Sequence, residues 1–252
     1  GEYEQTQERI RNARHAYYSE ISYADDKVGF LVDALEKNGL KDDTIIVITS
    51  DHGEMLGERG MWYKMSYFEW ASRVPMIIRA PARFSPRRVK QPVSLVDLLP
   101  TLTEIASVNK PIVYADTIDG KSLLPLLKGG DEDKNAVVCG EILCEGAISP
   151  IIMLRRDKYK YIYCDADPEQ LYDLDNDPDE INNLVWQSEY EKIRKTFHDQ
   201  VTKGWDTKNL REQVVANQRR RRLVDRSMRK GKFTSWDFQP FEDASQQYMR
   251  NH

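Results

Sequence analysis

The chain has 252 residues, enough for one large domain or for one and a half ordinary domains. Apolar residues make up 40% and charged residues 31%, as expected of a soluble globular protein. A net charge of −4 gives no bulk field that would attract nucleic acid, and no apolar run approaches the roughly 20 residues of a membrane span. We therefore expect neither nucleic acid nor a membrane as a partner. The run Arg219-Arg220-Arg221-Arg222 is interpreted as a solvated helix face or an interface with acidic groups.

The three cysteines, Cys139, Cys144 and Cys164, are odd in number and lack the spacing of zinc or redox sites. We expect them to be reduced and buried. The chain opens with Gly1 instead of Met, and no signal peptide is visible. A cytoplasmic location is expected on this basis, with the alternative that an export signal preceded the chain.

The first third of the sequence predicts a helix followed by strands. Apolar residues recur every three or four positions across residues 8–38, which predicts one long amphipathic helix that ends at Asn38-Gly39. The β-branched run at 44–49 and the apolar run at 75–79 predict two buried strands, and the first is expected to be parallel to its neighbours.

The next segment predicts another helix, over about 97–106. Asp97 suits the N-cap because Pro100 then falls in the first turn, where a missing N–H costs little. Helices that alternate with buried strands are typical of an α/β fold. We expect part of a mixed, mainly parallel sheet sandwiched by helices.

The pattern changes after residue 130. Short strand-like runs with basic turns lie between 136 and 163, and with a further run at 170–174 they predict a small antiparallel sheet. Residues 187–229 are charged and helical in pattern. Residues 230–252 have no period but hold five aromatic side chains, which predicts a tail that docks onto another surface.

Three regions follow from this pattern. Residues 1–130 form part of the large α/β domain, 131–186 a small antiparallel-sheet subdomain, and 187–252 a helical extension with an aperiodic tail. The extension is too charged to bury a core of its own, and arginine and aromatic residues are the types enriched at interfaces. We expect it to join copies of the chain into a homo-oligomer.

The residues that suggest chemistry begin where the first strand ends, at Asp51-His52-Gly53. Functional groups collect at the carboxyl ends of strands in open α/β sheets. Asp51 offers a hard anionic oxygen and His52 a neutral nitrogen, a combination that can bind a divalent cation. Lys64 then adds a compact positive charge suited to a tetrahedral oxyanion. The alternative interpretation of the Asp-His-Gly triplet is a capped turn without a ligand.

Around these residues the sequence resembles the C-terminal signature of sulfatases of the alkaline-phosphatase superfamily. The matching string covers residues 50–64 and continues at 69–75. Further segments that agree with the family in order and spacing are 17–29, 96–102 and 171–184. The resemblance extends over residues 8–185 and implies an alkaline-phosphatase-like fold.

The resemblance also implies a mechanism. Such enzymes use a formylglycine, made from a cysteine or serine in a Cys-x-Pro-x-Arg motif, together with one divalent cation. Ca²⁺ is expected first, with Mg²⁺ or Mn²⁺ as alternatives. Asp51 and His52 match metal ligands of the family, and Lys64 matches the lysine that binds the sulfate and the leaving-group oxygen.

This chain lacks two parts of that machinery. It contains no Cys-x-Pro-x-Arg motif, and the aspartate pair of the family's N-terminal half is also absent. We therefore expect a partner, the N-terminal half of the same enzyme, to supply the formylglycine and the remaining metal ligands.

The end of the chain resembles a narrower branch of the family, the choline sulfatases. Segments 220–224, 236–240 and 247–252 match an extension that general sulfatases lack. The resemblance implies that the substrate is a small-molecule sulfate ester, choline O-sulfate, which is hydrolysed to choline and sulfate.

A quaternary ammonium group has no hydrogen-bond donor, so proteins bind it with aromatic faces and a carboxylate. By resemblance, Glu141 matches an acidic choline-binding position, and the alternative is an exposed glutamate at a strand end. Trp62, Trp236 and Phe238 are candidate aromatic walls, each with core or interface packing as the alternative.

Two other functions remain open from the sequence. A phosphonate or phosphate ester hydrolase of the same superfamily would use Asp51, His52 and Lys64 equally well, because the two ester types share their geometry. A non-catalytic binding or structural fragment would account for the missing nucleophile.

Overall fold

The computed structural model describes residues 6–107, 112–144 and 146–231. Its α-helices are α1 (Gln7–Lys37), α2 (Glu69–Ser72), α3 (Leu98–Ala106), α4 (Leu124–Leu127), α5 (Glu191–Gly204) and α6 (Thr207–Met228). Its strands are β1 (Ile46–Thr49), β2 (Met55–Leu56), β3 (Trp62–Tyr63), β4 (Met76–Arg79), β5 (Val137–Ile142), β6 (Ile151–Arg156), β7 (Tyr159–Cys164) and β8 (Asp167–Asp173). The chain divides into two compact units, Gly1–Gly204 and Trp205–His252. The boundaries predicted after residues 130 and 186 stay predictions.

The predicted long helix is confirmed as α1. The Thr6 hydroxyl accepts a hydrogen bond from Arg9 N at 3.3 Å and caps its start. Its end is set by Asn38 and by Gly39, whose φ of +67° stops the helix. Large apolar side chains of α1 that remain more than half exposed are Tyr18, Ile21, Tyr23, Phe30 and Leu31. The described chain therefore leaves much of the apolar face of α1 uncovered.

The first two predicted strands are confirmed as β1 and β4, but they pair antiparallel, with Thr49 opposite Met76. Among the described residues β1 has no parallel neighbour, so the parallel pairing expected for it is not found. Both strands are half-buried, and Ile77 is 55% exposed. The two strands exist as predicted, but their predicted full burial is wrong in this structure, because the described chain covers them only in part.

The helix expected at 97–106 is confirmed as α3, but Asp97 does not cap it with its side chain. A 3₁₀ turn at Leu95–Asp97 precedes α3, and the Asp97 carboxylate accepts from Ser94 N and from Lys121 N, both at 2.8 Å. Asp97 thus holds the N-cap position of α3, as predicted, but its carboxylate caps the preceding turn and binds a distant loop instead of the first turn of α3. Pro100 is buried in the first turn of α3, as expected.

The predicted small antiparallel sheet is confirmed, with the strand order β5-β6-β7-β8. Side chains of one face, including Leu154, Tyr161 and Leu171, are fully buried. Helix α5 covers this face, where the Phe197 ring stacks on the Tyr161 ring at a centroid distance of 5.6 Å.

The opposite face of the sheet carries the loop that follows β1. A core cluster joins the two, and its buried members are Met55, Phe68, Ala71, Met153, Ile162, Tyr172 and Leu174. Met55 is fully buried, and Phe68 meets Tyr172 edge to face at 6.2 Å. This packing seats the loop that contains Lys64 on the small sheet.

The charged region 187–229 is helical, as predicted, with a break between α5 and α6. Asp206 starts α6, where its carboxylate accepts from Asn209 N at 3.0 Å. No residue of α6 is buried within the part of the chain that the structure describes. No helix among the described residues combines the length and apolar character needed to cross a bilayer.

All three cysteines are free thiols, but only Cys164 is buried. Cys139 lies on the edge strand β5 and Cys144 in the loop that follows it, where both are exposed. The prediction of burial is therefore wrong for these two.

Candidate active site

The turn after β1 depends on a close backbone approach at Gly53. Gly53 N donates to Ala71 O and Glu54 N donates to Trp70 O, both at 2.8 Å. A Cβ at position 53 would stand 2.1 Å from Trp70 O, a separation that no side chain tolerates. Only glycine lets the turn lie against α2, and this contact fixes the direction of the two residues before it.

Asp51 lies at the start of this turn with its carboxylate mostly in solvent. His52 N donates to Asp51 Oδ1 at 3.0 Å, and this backbone hydrogen bond is the chief cause of the lowered pKa of Asp51. The Ser50 hydroxyl donates to His52 O at 2.8 Å. The turn therefore holds Asp51 as a carboxylate with its second oxygen directed outward.

The His52 ring is oriented by a carbonyl group. Its Nδ1 lies 2.8 Å from Gly53 O, and because a carbonyl oxygen only accepts, Nδ1 carries the proton. The lone pair of Nε2 is then available on the other side of the ring. Nε2 lies 3.3 Å from Asp51 Oδ2 and 2.8 Å from Lys64 Nζ. Of the four site residues predicted from the sequence, the structure thus brings together Asp51, His52 and Lys64. The fourth is Glu141.

The pair formed by Asp51 Oδ2 and His52 Nε2 fits a divalent cation. Ligand distances of roughly 2.0 to 2.6 Å place neighbouring donor atoms about 3 Å apart around one ion. The observed 3.3 Å agrees with this spacing. No group of three or more acidic, histidine or cysteine side chains suited to a metal occurs among the described residues. Within the described residues, Asp51 and His52 therefore have the spacing of two neighbouring ligands, and no third such side chain joins them.

Lys64 follows a two-strand hairpin of β2 and β3. The backbone takes positive φ at Arg59 (+55°) and at Tyr63 (+69°), the residue before Lys64. Arg14 of α1 holds the hairpin, because its guanidinium donates to Leu56 O at 3.0 Å and to Glu58 Oε1 at 2.7 Å. These contacts hold the hairpin that precedes Lys64. The exposed side chain of Lys64 then reaches the His52 ring.

Glu141 lies on the edge strand β5 with an exposed side chain. Its charge acts on Tyr67, three residues after Lys64, whose pKa is raised first by burial and then by the Glu141 charge. The Tyr67 ring packs on Gly140, where a Cβ would stand 2.7 Å from the Tyr67 hydroxyl. Glu141 therefore lies on the strand that Tyr67 of the Lys64 loop packs against.

The three predicted aromatic walls have different outcomes. Trp62 packs beside Gly57, close to Ile10 of α1, which is the core-packing alternative. Trp236 and Phe238 lie outside the described residues.

Sequence patterns missed four residues that shape the site: Arg14, Arg59, Lys160 and Glu180. Arg59 donates to Glu180 O and stacks over the Phe68 ring at 4.3 Å. Glu180 lies in the family-like segment 171–184, but no local pattern there indicates its partner Glu69, more than 100 positions away.

Comparisons with known proteins place this chain among the sulfatases. Residues 1–108 match the family described as Sulfatase, 57–206 the family N-sulphoglucosamine sulphohydrolase, C-terminal, and 212–252 the family Choline sulfatase enzyme C terminal. A choline-sulfatase from Rhizobium meliloti (strain 1021) is 40% identical over 250 residues, which is 98% of this chain and 48% of that protein. Arylsulfatase K from Xenopus laevis is 38% identical over 72% of this chain and 35% of its own length. This chain thus spans half or less of the length of these relatives.

Solved structures give the same result for the fold. The phosphonate monoester hydrolase of Agrobacterium radiobacter superposes with a TM-score of 0.69 at 28% identity, over 84% of this chain and 43% of that one. The 2-O GAG sulfatase BT1596 superposes with a TM-score of 0.68 at 29% identity, over 80% of this chain and 45% of that one.

Proposed function

Because this chain belongs to the sulfatase family, we propose that it carries one half of the active site of a hydrolase that cleaves sulfate esters. The observation that supports this most directly is the approach of Asp51 Oδ2, at 3.3 Å, and Lys64 Nζ, at 2.8 Å, to the same atom, His52 Nε2. A carboxylate, a neutral imidazole nitrogen and an ammonium suit a divalent cation beside a tetrahedral oxyanion.

In this proposal Asp51 Oδ2 and His52 Nε2 bind one divalent cation, Ca²⁺ first and Mg²⁺ or Mn²⁺ as alternatives. When bound, such a cation neutralises charge on the sulfate and acts as a Lewis acid. Gly53 O keeps the His52 ring in the tautomer with Nε2 unprotonated, as metal binding requires. Lys64 contacts the sulfate and donates to the ester oxygen as negative charge develops on it.

The nucleophile in this proposal is a formylglycine of a companion N-terminal half, which also completes the metal ligands. Exposed apolar side chains on the first compact unit support such a partner, among them Phe30 and Leu31 of α1 and Ile77 of β4. Apolar patches of this kind mark surfaces that another polypeptide segment covers. The N-terminal half would bury them and place its nucleophile beside Lys64.

The metal role is tested by Asp51→Ala in the complete protein. We expect loss of the bound divalent cation, measured by elemental analysis, and loss of turnover of a sulfate ester, with the fold retained. Asp42→Ala is the matched control, because Asp42 flanks the other end of β1 and its side chain is equally exposed, at 81%. Full turnover in a metal-free Asp51→Ala protein contradicts the proposal.

We propose choline O-sulfate as the substrate. The support is the 40% identity to a choline-sulfatase over nearly the whole chain and the family match of residues 212–252. Glu141 is the proposed partner of the trimethylammonium group, as an exposed carboxylate beside the Lys64 loop.

Glu141→Gln tests this specificity. Removing the charge should raise KM for choline O-sulfate by about 10-fold, which corresponds to the low end of a charge-assisted contact. KM for an uncharged aryl sulfate should stay the same, because the cation and Lys64 still bind its sulfate. Equal losses for the two substrates would mean that Glu141 has a structural role only.

A second candidate function is phosphonate or phosphate ester hydrolysis, favoured by the likeness to the phosphonate monoester hydrolase of Agrobacterium radiobacter. The same three residues would bind either anion. Steady-state kcat/KM on a matched pair of aryl sulfate and aryl phosphonate esters separates the two, and we expect the sulfate to be preferred.

A further inference from the structure

Lys160 is a charged residue in an apolar part of the molecule. It lies on β7, and its side chain is only 1% exposed. A lysine is almost never buried to this degree unless it is paired. Its ammonium group lies 2.6 Å from Glu69 Oε1, 2.7 Å from Tyr67 O and 2.9 Å from Glu180 Oε1. Three oxygen atoms from two separate segments thus surround one ammonium group.

Two of these three oxygens belong to the segment that follows Lys64. Ser66 N donates to Lys64 O at 2.8 Å, so a tight turn connects Lys64 to Tyr67. Tyr67 is bound to the buried ammonium by its main chain and Glu69 by its side chain. The segment 64–69 is therefore attached to β7 at two points.

Glu180 holds the same segment from the other side. It is fully buried, and its Oε2 accepts from Glu69 N at 2.6 Å. Burial raises the pKa of Glu180, and the nearby Lys160 charge opposes that rise. Charged groups that are paired in a low-dielectric environment interact strongly, and each depends on the presence of the others.

The Tyr67 ring also packs closely against the small sheet. It lies on Gly140 of β5, where a Cβ would stand 2.7 to 2.9 Å from three of its atoms. The segment after Lys64 is therefore seated on β5 and bonded to β7 of the same small sheet.

We propose that Lys160 is a positioning residue for Lys64: it ties the 64–69 segment to the small antiparallel sheet and so sets the place of the Lys64 ammonium. Lys160 itself does not touch the substrate. The inference rests on the proposed function, in which Lys64 acts on a sulfate ester. It extends that function by giving the small sheet a role in the chemical step.

The experiment compares Lys160→Met with Lys158→Met in the complete protein. Lys158 is the matched control, because it pairs with the buried Asp173 at 2.7 Å on the same sheet and has no observed contact with residues 64–69. We expect Lys160→Met to lower kcat for a sulfate ester by about 10- to 100-fold, the scale of a small misplacement of a catalytic group. The bound divalent cation should be retained.

Hydrogen–deuterium exchange gives a readout that does not depend on activity. In Lys160→Met, peptides that cover 64–69 should exchange faster than in the unsubstituted protein, and in Lys158→Met they should not. If both variants lose kcat equally, or if exchange at 64–69 is unchanged in Lys160→Met, the proposal is overturned.

Glu69→Gln keeps the proposal testable if Lys160→Met does not fold. It removes one carboxylate charge and leaves Lys160 paired with Glu180. We expect a smaller loss of kcat with faster exchange at 64–69, and unchanged values of both would overturn the proposal. Absence of sulfate ester turnover in the unsubstituted protein would instead count against the proposed function, since the exchange comparison does not depend on it.

Discussion

The imidazole of His52 has one nitrogen, Nε2, available for a ligand, and Lys64 Nζ is already hydrogen-bonded to it. Nδ1 is bound to Gly53 O at 2.8 Å, and Nε2 accepts from Lys64 Nζ at the same distance. A divalent cation on Nε2 would compete with that hydrogen bond and would be repelled by the ammonium charge. The same lysine is thus expected to weaken cation binding while it favours the sulfate.

Lys64→Ala separates these two effects. Turnover should fall about 10²- to 10³-fold, the usual cost of removing one electrostatic donor from a transition state. Affinity for the divalent cation alone, measured by isothermal titration calorimetry without substrate, should rise severalfold because the competing ammonium is gone. An unchanged turnover number would mean that Lys64 does not contact the ester, and weaker cation binding would contradict the competition.

At the scale of elements, the small sheet is held to its neighbours by charged groups that are buried or partly buried. Glu169 of β8 accepts from Arg194 at 3.0 Å and contacts His198 Nδ1 at 2.8 Å, both on α5. Burial alone would raise the pKa of Glu169, but its hydrogen bonds, first that from Arg194, outweigh burial and lower it. These contacts hold α5 on one face of the sheet while Lys160 and its partners hold the Lys64 segment on the other.

The end of β8 offers a prediction about pH. Asp173 is buried and accepts from Lys158 at 2.7 Å and from the Asn176 side chain at 2.9 Å. Burial alone would raise its pKa, but these hydrogen bonds lower it below the ordinary value of 3.8. A lowered pKa in the folded state stabilises the protein above pH 3.8, and this stabilisation is lost as the pH falls through the folded-state pKa.

Asp173→Asn should therefore destabilise the fold by about 1 to 3 kcal/mol at pH 7 and by less at pH 3. Urea unfolding at the two pH values measures the difference. Asp179→Asn, at an exposed position in the following turn, is the control and should change stability little at either pH. An equal effect of Asp173→Asn at both pH values would contradict the role of its charge.

At the scale of the whole molecule, the extension beyond residue 205 forms its own compact unit. Helix α6 carries exposed apolar side chains, with Leu223 68% and Met228 69% exposed, beside the arginine run 219–222. Apolar and arginine side chains together are typical of interfaces between proteins. We propose that this unit joins copies of the chain into a homo-oligomer.

Deletion of residues 230–252 tests this assembly. We expect the shortened protein to sediment as a smaller species in analytical ultracentrifugation, because the aromatic residues of the tail are lost. Replacing the tail by a polar linker of equal length is the control for chain length and should give the same smaller species. Unaltered sedimentation of both proteins would argue against the tail as the oligomer contact.

Local sequence patterns were sufficient to predict the elements with a clear period and to recognise the site signature. Apolar spacing predicted α1 to within one residue at each end, and short strand-like runs with basic turns between them predicted the sheet of β5 to β8. The string from Asp51 to Lys64 identified the family and the residues that meet at the His52 ring. These features depend on neighbours within a few turns of the chain, which is the range over which periodicity and capping act.

The way in which distant segments complete the site can be seen only in the folded chain. The pairing of Lys160 with Glu69 and Glu180, and the contact of Tyr67 with Gly140, join residues that lie from 20 to 91 positions apart. The pattern around Asp97 predicted a helix cap, yet its carboxylate binds Lys121 N in a distant loop. No local pattern encodes such partners, because a buried charge is stabilised by whichever oxygen or nitrogen the folded chain brings within about 3 Å.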